Sequence, residues 1–504
     1  MTTIQYLSYS KPKRALLKFL NFFKRLPRCI SRLFGSVPYL LLKVFDFIAK
    51  PFVKVFDVFY YGDWKTRLSF LVFGFGEVTR KQKVKGILHF AFEVIFILYM
   101  VFFGGTYLSK LGSLGYYSSV QIGTITTPLY RFEDNSFLIL LFSIITIIII
   151  LCAFYVFYTN VTFSKELQDL ENIGKHKSDK EVLLNVGNRN YHTTLLSFPM
   201  LGLLCFTIIP MIFMVCIAFT NYNSNHLPPK ELFDWVGSDN FQNLFGLKNS
   251  AASSGYLTIF SQILLWTLIW AFFATFSNYF LGMIVAILIN TKGIKLKKLW
   301  RTVLVTTIAV PQFISLLLIS KMFGEIGFIN KALMSLGITN SPILFLDSSI
   351  ITNVVIIVVN MWVGVPYTVL ICTGILMNIP QDLYESARID GASPFRMYMK
   401  ITLPYMLFVT TPYLINQFVG NINNFNVIYL LSQGKPYFTE VANDTFAGKS
   451  DLLITWLYKL TATSAEVDYG LASVIGLLIF CIVAFFSLIF YSNTNSVKNE
   501  EDFQ

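Results

Sequence analysis

Eight long apolar runs, nearly free of charge, limit what this chain can become. They lie at 87–108, 137–158, 196–220, 260–290, 299–322, 350–374, 404–431 and 470–491. Each is long enough for a helix to cross the roughly 30 Å of hydrocarbon in a bilayer. Inside that layer no water pairs with backbone N–H and C=O groups, so such a segment must satisfy its hydrogen bonds within itself. The expected fold is all-α: a polytopic membrane protein with about eight transmembrane helices. Composition agrees, because 55% of the 504 residues are hydrophobic and only 13% are charged, against about a quarter charged in soluble proteins. The fourth run is long enough to be tilted or partly interfacial.

The net charge of +12 does not point to nucleic acid, because the cations follow a topological pattern. Lys and Arg number 17 in residues 1–86, five in 159–195, five in 291–301 and three in 379–403. The alternate loops 109–136, 221–259, 323–349 and 432–469 carry two, two, one and three. Cytoplasmic loops are the basic ones, so both termini and the 379–403 loop are expected in the cytoplasm of a bacterial cell. The mixed basic N-terminus shows no clean apolar run followed by a small-residue cleavage site, so no cleavable signal is expected. The six cysteines lack CxxC spacing; five sit in apolar runs and read as small buried hydrophobes. The four histidines form no metal-binding pattern.

Four regions follow. Residues 1–86 form a cytoplasmic basic and aromatic region, 87–254 carry three accessory helices and an extracytoplasmic loop, 255–495 form the transmembrane core, and 496–504 are a cytoplasmic tail. In 1–62, Lys and Arg alternate with Phe and Leu, as in Lys18-Phe19-Leu20 and Phe22-Phe23-Lys24-Arg25. Such a segment lies in the plane of an anionic leaflet, with membrane lipid as its partner, or serves as a partner-binding arm. Leu68–Gly76 is too short to cross and is re-entrant, interfacial or a packed corner. Glu93 in the first run snorkels or pairs near its cytoplasmic end.

Asn378–Pro404 is the most polar, helix-like stretch of the hydrophobic C-terminal half. Pro380 suits a first helical turn, Gly391 a position just past a helix end, and Ser393-Pro394 an N-cap followed by N1. The pattern reads helix–Gly–helix between two spans, protruding from the membrane. Glu385-Ser386-Ala387, then Asp390-Gly391, then Ile401-Thr402-Leu403-Pro404 resemble the EAA loop of ABC importer permeases. Only Ser386 departs, standing where that family has Ala. The resemblance implies a type I ABC importer permease fold whose coupling helix docks on a cytoplasmic ATPase. The residues carrying that coupling would be Glu385, Ser386, Ala387, Asp390, Gly391, Ile401, Leu403 and Pro404.

Neutral amides interrupt the apolar core: Gln312, Asn360, Asn421, Asn423 and Asn424. Unpaired amides are costly in lipid, so these face one another or a polar cavity; helix-to-helix glue and a binding site are both open readings. Pro311, Gly364 and Pro366 lie close by, and interrupted helices are where transporters place binding sites. The stretches Ala309–Ser315, Asn360–Tyr367, Asn421–Phe425 and Asp468–Ala472 resemble the larger membrane subunit of maltose/maltodextrin ABC importers, in the Gram-positive form without the large extracytoplasmic insertion. That resemblance implies sugar contacts at Gln312, Asn360, Gly364, Tyr367, Gly420, Asn421 and Asn424. Gly420 and Ile308 stand where the family has aromatic residues, which leaves the substrate preference open.

The chain has no phosphate-binding loop of the ATPase type, so no cofactor is expected in it; ATP and Mg would belong to a partner ATPase. The implied partners are an ATPase dimer, a second permease subunit, an extracytoplasmic solute-binding lipoprotein and an oligosaccharide. A permease for another neutral or small solute is the alternative. A secondary transporter would need midplane carboxylates, and Glu93 is the one candidate. No catalytic or metal-spaced cluster lies in the runs.

Overall fold

The computed structural model describes residues 43, 49–116, 120–121, 130–131, 134–177, 179–180, 188, 191–228, 231–247, 251–291, 293–439, 446–463 and 466–493. Most of the basic, aromatic N-terminal stretch and the 496–504 tail lie outside these residues. The described chain is mainly helical, with one two-residue antiparallel pair, Val120–Gln121 with Tyr130–Arg131, and isolated antiparallel bridges such as Thr220 with Trp235.

Among the described residues, six helices are long and apolar enough to cross a membrane. They are α1 (Lys83–Ser109), α2 (Ser136–Asn172), α3 (Thr194–Ile217), α4 (Gly255–Asn290), and two later ones at Ser349–Leu376 and Tyr469–Ile489. Between them, α5 (Lys297–Ile308) and α6 (Gln312–Met322) pass only as a pair, bent by 85°. The remaining helices used below are α7 (Phe328–Ser335), α8 (Ser349–Leu376), α9 (Gln381–Ile389), α10 (Pro394–Met397), α11 (Leu403–Ile422), α12 (Phe425–Leu431), α13 (Leu453–Ala462) and α14 (Tyr469–Asn493).

Two of the eight expected spans are therefore not continuous helices. The run 299–322 breaks at Pro311, whose lack of an N–H and whose ring both oppose a continuous ladder. The run 404–431 divides after Ile422, because the Asn424 side chain accepts from the Val427 N–H (3.3 Å) and starts a new helix. The cysteines also differ from expectation: Cys372 is buried, whereas Cys152, Cys205 and Cys481 face outward.

The chain forms two compact units, residues 1–112 with 137–211, and residues 113–136 with 212–504. In the first, 62–82 folds as a packed corner on the C-terminal part of α2, which settles the reading of Leu68–Gly76. The buried Arg80 guanidinium holds it together. It donates to both Asp63 carboxylate oxygens (2.6 and 2.7 Å), to Glu171 (2.9 Å) and to the Ser164 carbonyl (3.2 Å). Asn160 donates to the Ser69 carbonyl and accepts from the Gly74 N–H, both at 2.8 Å. Gly74 has φ +77°, and a Cβ there would run into the Gly86 carbonyl oxygen, so two backbones touch where no side chain fits. Glu93 pairs locally, accepting from the Phe73 N–H at 2.8 Å.

The second unit is built on α4, which packs along α8 and α11. Its apolar core includes the fully buried Trp270, Trp456, Ile263 and Ile475. Indole N–H groups tie α4 to distant segments: Trp266 donates to the Ser450 carbonyl (3.1 Å), before α13, and Trp270 to the Asn421 carbonyl of α11 (3.0 Å). Beside α13, the Lys459 ammonium donates to the buried Asp451 carboxylate (2.6 Å), which also accepts from Thr455 and the Gly448 N–H. Burial pushes the Asp451 carboxyl above its ordinary range, against the pull of Lys459 and those donors.

Candidate functional site: a neutral polar cavity and a protruding helix pair

Helical periodicity assembles the site. Along α8, Asn360, Gly364, Tyr367 and Thr368 recur at i, i+4, i+7 and i+8; along α11 and its C-terminal end, Tyr413, Gln417, Asn421 and Asn424 do so at i, i+4, i+8 and i+11. Each series is one face of a helix. With Thr275 and Asn278 of α4, and Pro311, Gln312 and Ser315 at the α5–α6 break, these faces line one cavity of ≈ 390 Å³. The lining sets amide, hydroxyl and aromatic groups among aliphatic ones, and includes no Asp, Glu, Lys or Arg. A water-filled or ligand-filled cavity also accounts for a bent, non-helical backbone at this depth.

Six of the seven positions singled out from sequence line this cavity: Gln312, Asn360, Gly364, Tyr367, Asn421 and Asn424. Gly420 does not. It lies on the exposed side of α11, one residue away from the lining face, with nothing within 4 Å of a Cβ built there. One residue is about 100° of helical rotation, enough to turn it off the cavity.

The amides differ in how they are used. Asn421 is buried; its Nδ2 donates to Thr275 (3.0 Å) and its Oδ1 accepts from Asn424 (3.3 Å). These two residues thus fasten the α11–α12 break as well as line the cavity. Asn360, 5% exposed, keeps a buried Nδ2 with no hydrogen-bond partner, and so does the Oδ1 of Asn278. Sequence reasoning missed Thr275, Asn278, Tyr413 and Gln417. Gln417 was findable, since it stands four residues before Asn421. Asn278 carried no signal, because its span has no neighbouring amide on the same face and no proline to mark it.

The polar stretch between α8 and α11 forms the expected helix–Gly–helix. Pro380 precedes α9, which ends at Ile389 with Asp390 as its C-cap; Gly391 follows at φ +72°, its N–H donating to the Arg388 carbonyl (3.0 Å) while the Ala392 N–H reaches the Ala387 carbonyl (2.9 Å). This is the left-handed stop that glycine favours. Ser393 then caps α10, accepting from the Arg396 N–H at 3.3 Å, with Pro394 next. A single π-helical turn, Tyr398–Thr402, contains Ile401 and leads into Leu403 and Pro404 at the start of α11. The pair is braced by Tyr384, whose hydroxyl meets that of Thr402 at 2.8 Å. Glu385, Ser386 and Asp390 are exposed and Ala387 is half-buried. Ile389, 88% exposed, and Phe395 present bare apolar surface beside them.

Residues 278–495, which hold this helix pair and all of the cavity lining except Ala274 and Thr275, match the family described as binding-protein-dependent transport system inner membrane component. Over 436 residues the chain is 33% identical to the galactooligosaccharides transport system permease protein GanP of Bacillus subtilis (strain 168), covering 85% of this chain and 96% of that one. The chain belongs to this permease family. The permease is also 32% identical over 451 residues to the maltodextrin transport system permease protein MalC of Streptococcus pneumoniae serotype 4, with 87% and 97% covered. It is 35% identical over 259 residues to the maltose/maltodextrin transport system permease protein MalF of Klebsiella aerogenes, with 50% and 48% covered. A solved structure of a bacterial ABC transporter involved in import of the acidic polysaccharide alginate aligns at 20% identity and a TM-score of 0.48, over 62% of the permease and 100% of that chain. From its family and its six long apolar helices, the permease is a multi-pass membrane protein.

Proposed function

We propose that this permease forms half of the translocation path of an ATP-driven importer for neutral oligosaccharides of the maltodextrin or galactooligosaccharide kind. The observation that carries this is the cavity lining: amides, hydroxyls and aromatic rings among aliphatic side chains, with no fixed charge. Such groups both donate and accept, as sugar hydroxyls do, and the rings offer faces for sugar C–H surfaces. The cargo named for the relatives that align over most of the chain, galactooligosaccharides and maltodextrin, supports the same class.

In this reading the chain performs no hydrolysis and holds no cofactor. ATP and Mg belong to a cytoplasmic ATPase dimer that grips α9 through Glu385, Ala387, Asp390 and the bare Ile389. A second permease completes the path, and an extracytoplasmic solute-binding protein delivers sugar. The basic loops support cytoplasmic termini. ATP binding draws the coupling helices together and opens the cavity outward; hydrolysis resets it.

Affinity purification of the tagged chain from its native membrane, followed by uptake assays with radiolabelled maltotriose and galactotriose, tests the proposal. Co-purification of an ATPase and a second permease, with ATP-dependent uptake of either sugar, is the expected result. Isolation of the chain alone, or a complex that imports neither sugar, would overturn it.

A further inference from the structure

We infer that Asn278 contacts the transported ligand, that Gly364 seats it, and that with Asn360 it forms a donor–acceptor pair for a ligand hydroxyl; the inference rests on the sugar reading above. Three observations lead here. Asn278 and Asn360 sit on facing helices, α4 and α8, and line the same cavity. Each keeps one buried amide atom without a partner: an acceptor, Oδ1, on Asn278 and a donor, Nδ2, on Asn360. Finally, a Cβ on Gly364 would collide with the Asn278 Nδ2 and lie only 2.8 Å from its Cγ. The missing side chain at Gly364 is therefore filled by the Asn278 amide.

Buried amide atoms in native proteins are almost always paired, and an orphan is expensive. Two orphans of opposite kind in one cavity call for one group that donates to the first and accepts from the second. A hydroxyl does both; a carboxylate only accepts and an ammonium only donates. Both atoms are shielded from solvent here, so a turn of each amide about its soft terminal torsion brings them to the ligand. The pair thereby selects for hydroxyl-bearing cargo without using charge.

The test uses the purified complex of both permeases and the ATPase, without solute-binding protein, titrated with maltotriose and with galactotriose. The apparent Kd is read from the ligand-induced shift in melting temperature. Asn278→Ala is expected to weaken the apparent Kd about three- to tenfold, the equivalent of one hydrogen bond. Gly364→Ala should weaken it similarly by displacing the Asn278 side chain, and the double variant should be no worse than Asn278→Ala alone. Asn278→Thr, which keeps a short acceptor, should recover part of the loss. An unchanged Kd in Asn278→Ala, or strictly additive effects, overturns the inference. Loss of the complex in both Asn278 variants would assign the residue to packing. A wild-type complex that responds to neither sugar overturns the sugar reading itself, and this assignment with it.

Discussion

Single residues carry much of the specification, and two buried ion-pair sites show how. Arg80 is satisfied by carboxylates from the 62–82 corner and from α2. Burial opposes ionisation of Asp63, but the Arg80 guanidinium and the Thr66 donors prevail and hold its carboxyl below the usual range. A carboxyl whose folded pKa is depressed contributes stability that is complete above its unfolded pKa, about 4, and is lost as pH falls through the folded value. Melting temperatures of the purified protein should therefore drop on acidification below about pH 4, and Asp63→Asn should flatten that drop while costing about 1–3 kcal/mol at neutral pH. An unaltered acid limb in Asp63→Asn would show that other carboxyls govern it. The Asp451–Lys459 pair, both side chains almost fully buried, predicts an asymmetry. Lys459→Met strands a buried carboxylate and should cost about 3–5 kcal/mol, whereas adding Asp451→Asn should restore part of that loss. Equal melting temperatures for the single and double variants would contradict this.

At the scale of elements, legibility followed local chemistry. The α9–α10 pair was readable because every boundary has its own side-chain signal: Pro380, Gly391, Ser393 and Pro394. The cavity-lining faces of α8 and α11 were readable because amides recur there at helical spacing. The division of 404–431 was not, because apolar runs flank Asn423 and Asn424 closely on both sides and amides inside a span equally suit a continuous helix; only the cap geometry of Asn424 reveals it. Gly420 faces away from the cavity for a related reason, since a resemblance carries a position but not the rotation of the helix that bears it. The readable turn supports a graded test. Nothing lies within 4 Å of a Cβ at Gly391, so Gly391→Ala meets strain alone, about 1–2 kcal/mol. Gly391→Pro also loses the N–H that bonds the Arg388 carbonyl and cannot reach φ +72°. Sugar uptake should fall modestly in the first and severely in the second, with ATPase co-purification falling in parallel while membrane insertion is kept. Normal uptake by Gly391→Pro would detach this bend from coupling.

For the whole molecule, apolar length and loop charge were enough to read a helical membrane protein, while continuity of each span was not. Charge bias also predicts orientation. A cysteine introduced in the basic 291–301 loop, for example Lys295→Cys, should resist an impermeant thiol reagent in intact cells. One in the 323–349 loop, for example Asn340→Cys, should react. The reverse pattern would invert the topology. The 85° bend between α5 and α6 carries a further consequence. The first N–H groups of α6 and the last carbonyls of α5 have no helical neighbours to pair with. Because they border the cavity, they are where solvent meets backbone inside the core. In deuterated buffer the amides of Val310, Gln312 and Phe313 should therefore exchange far sooner than those in the middle of α4 or α8, and a bound oligosaccharide should slow them. The break would then act as a window through which occupancy of the path can be timed without any label on the cargo.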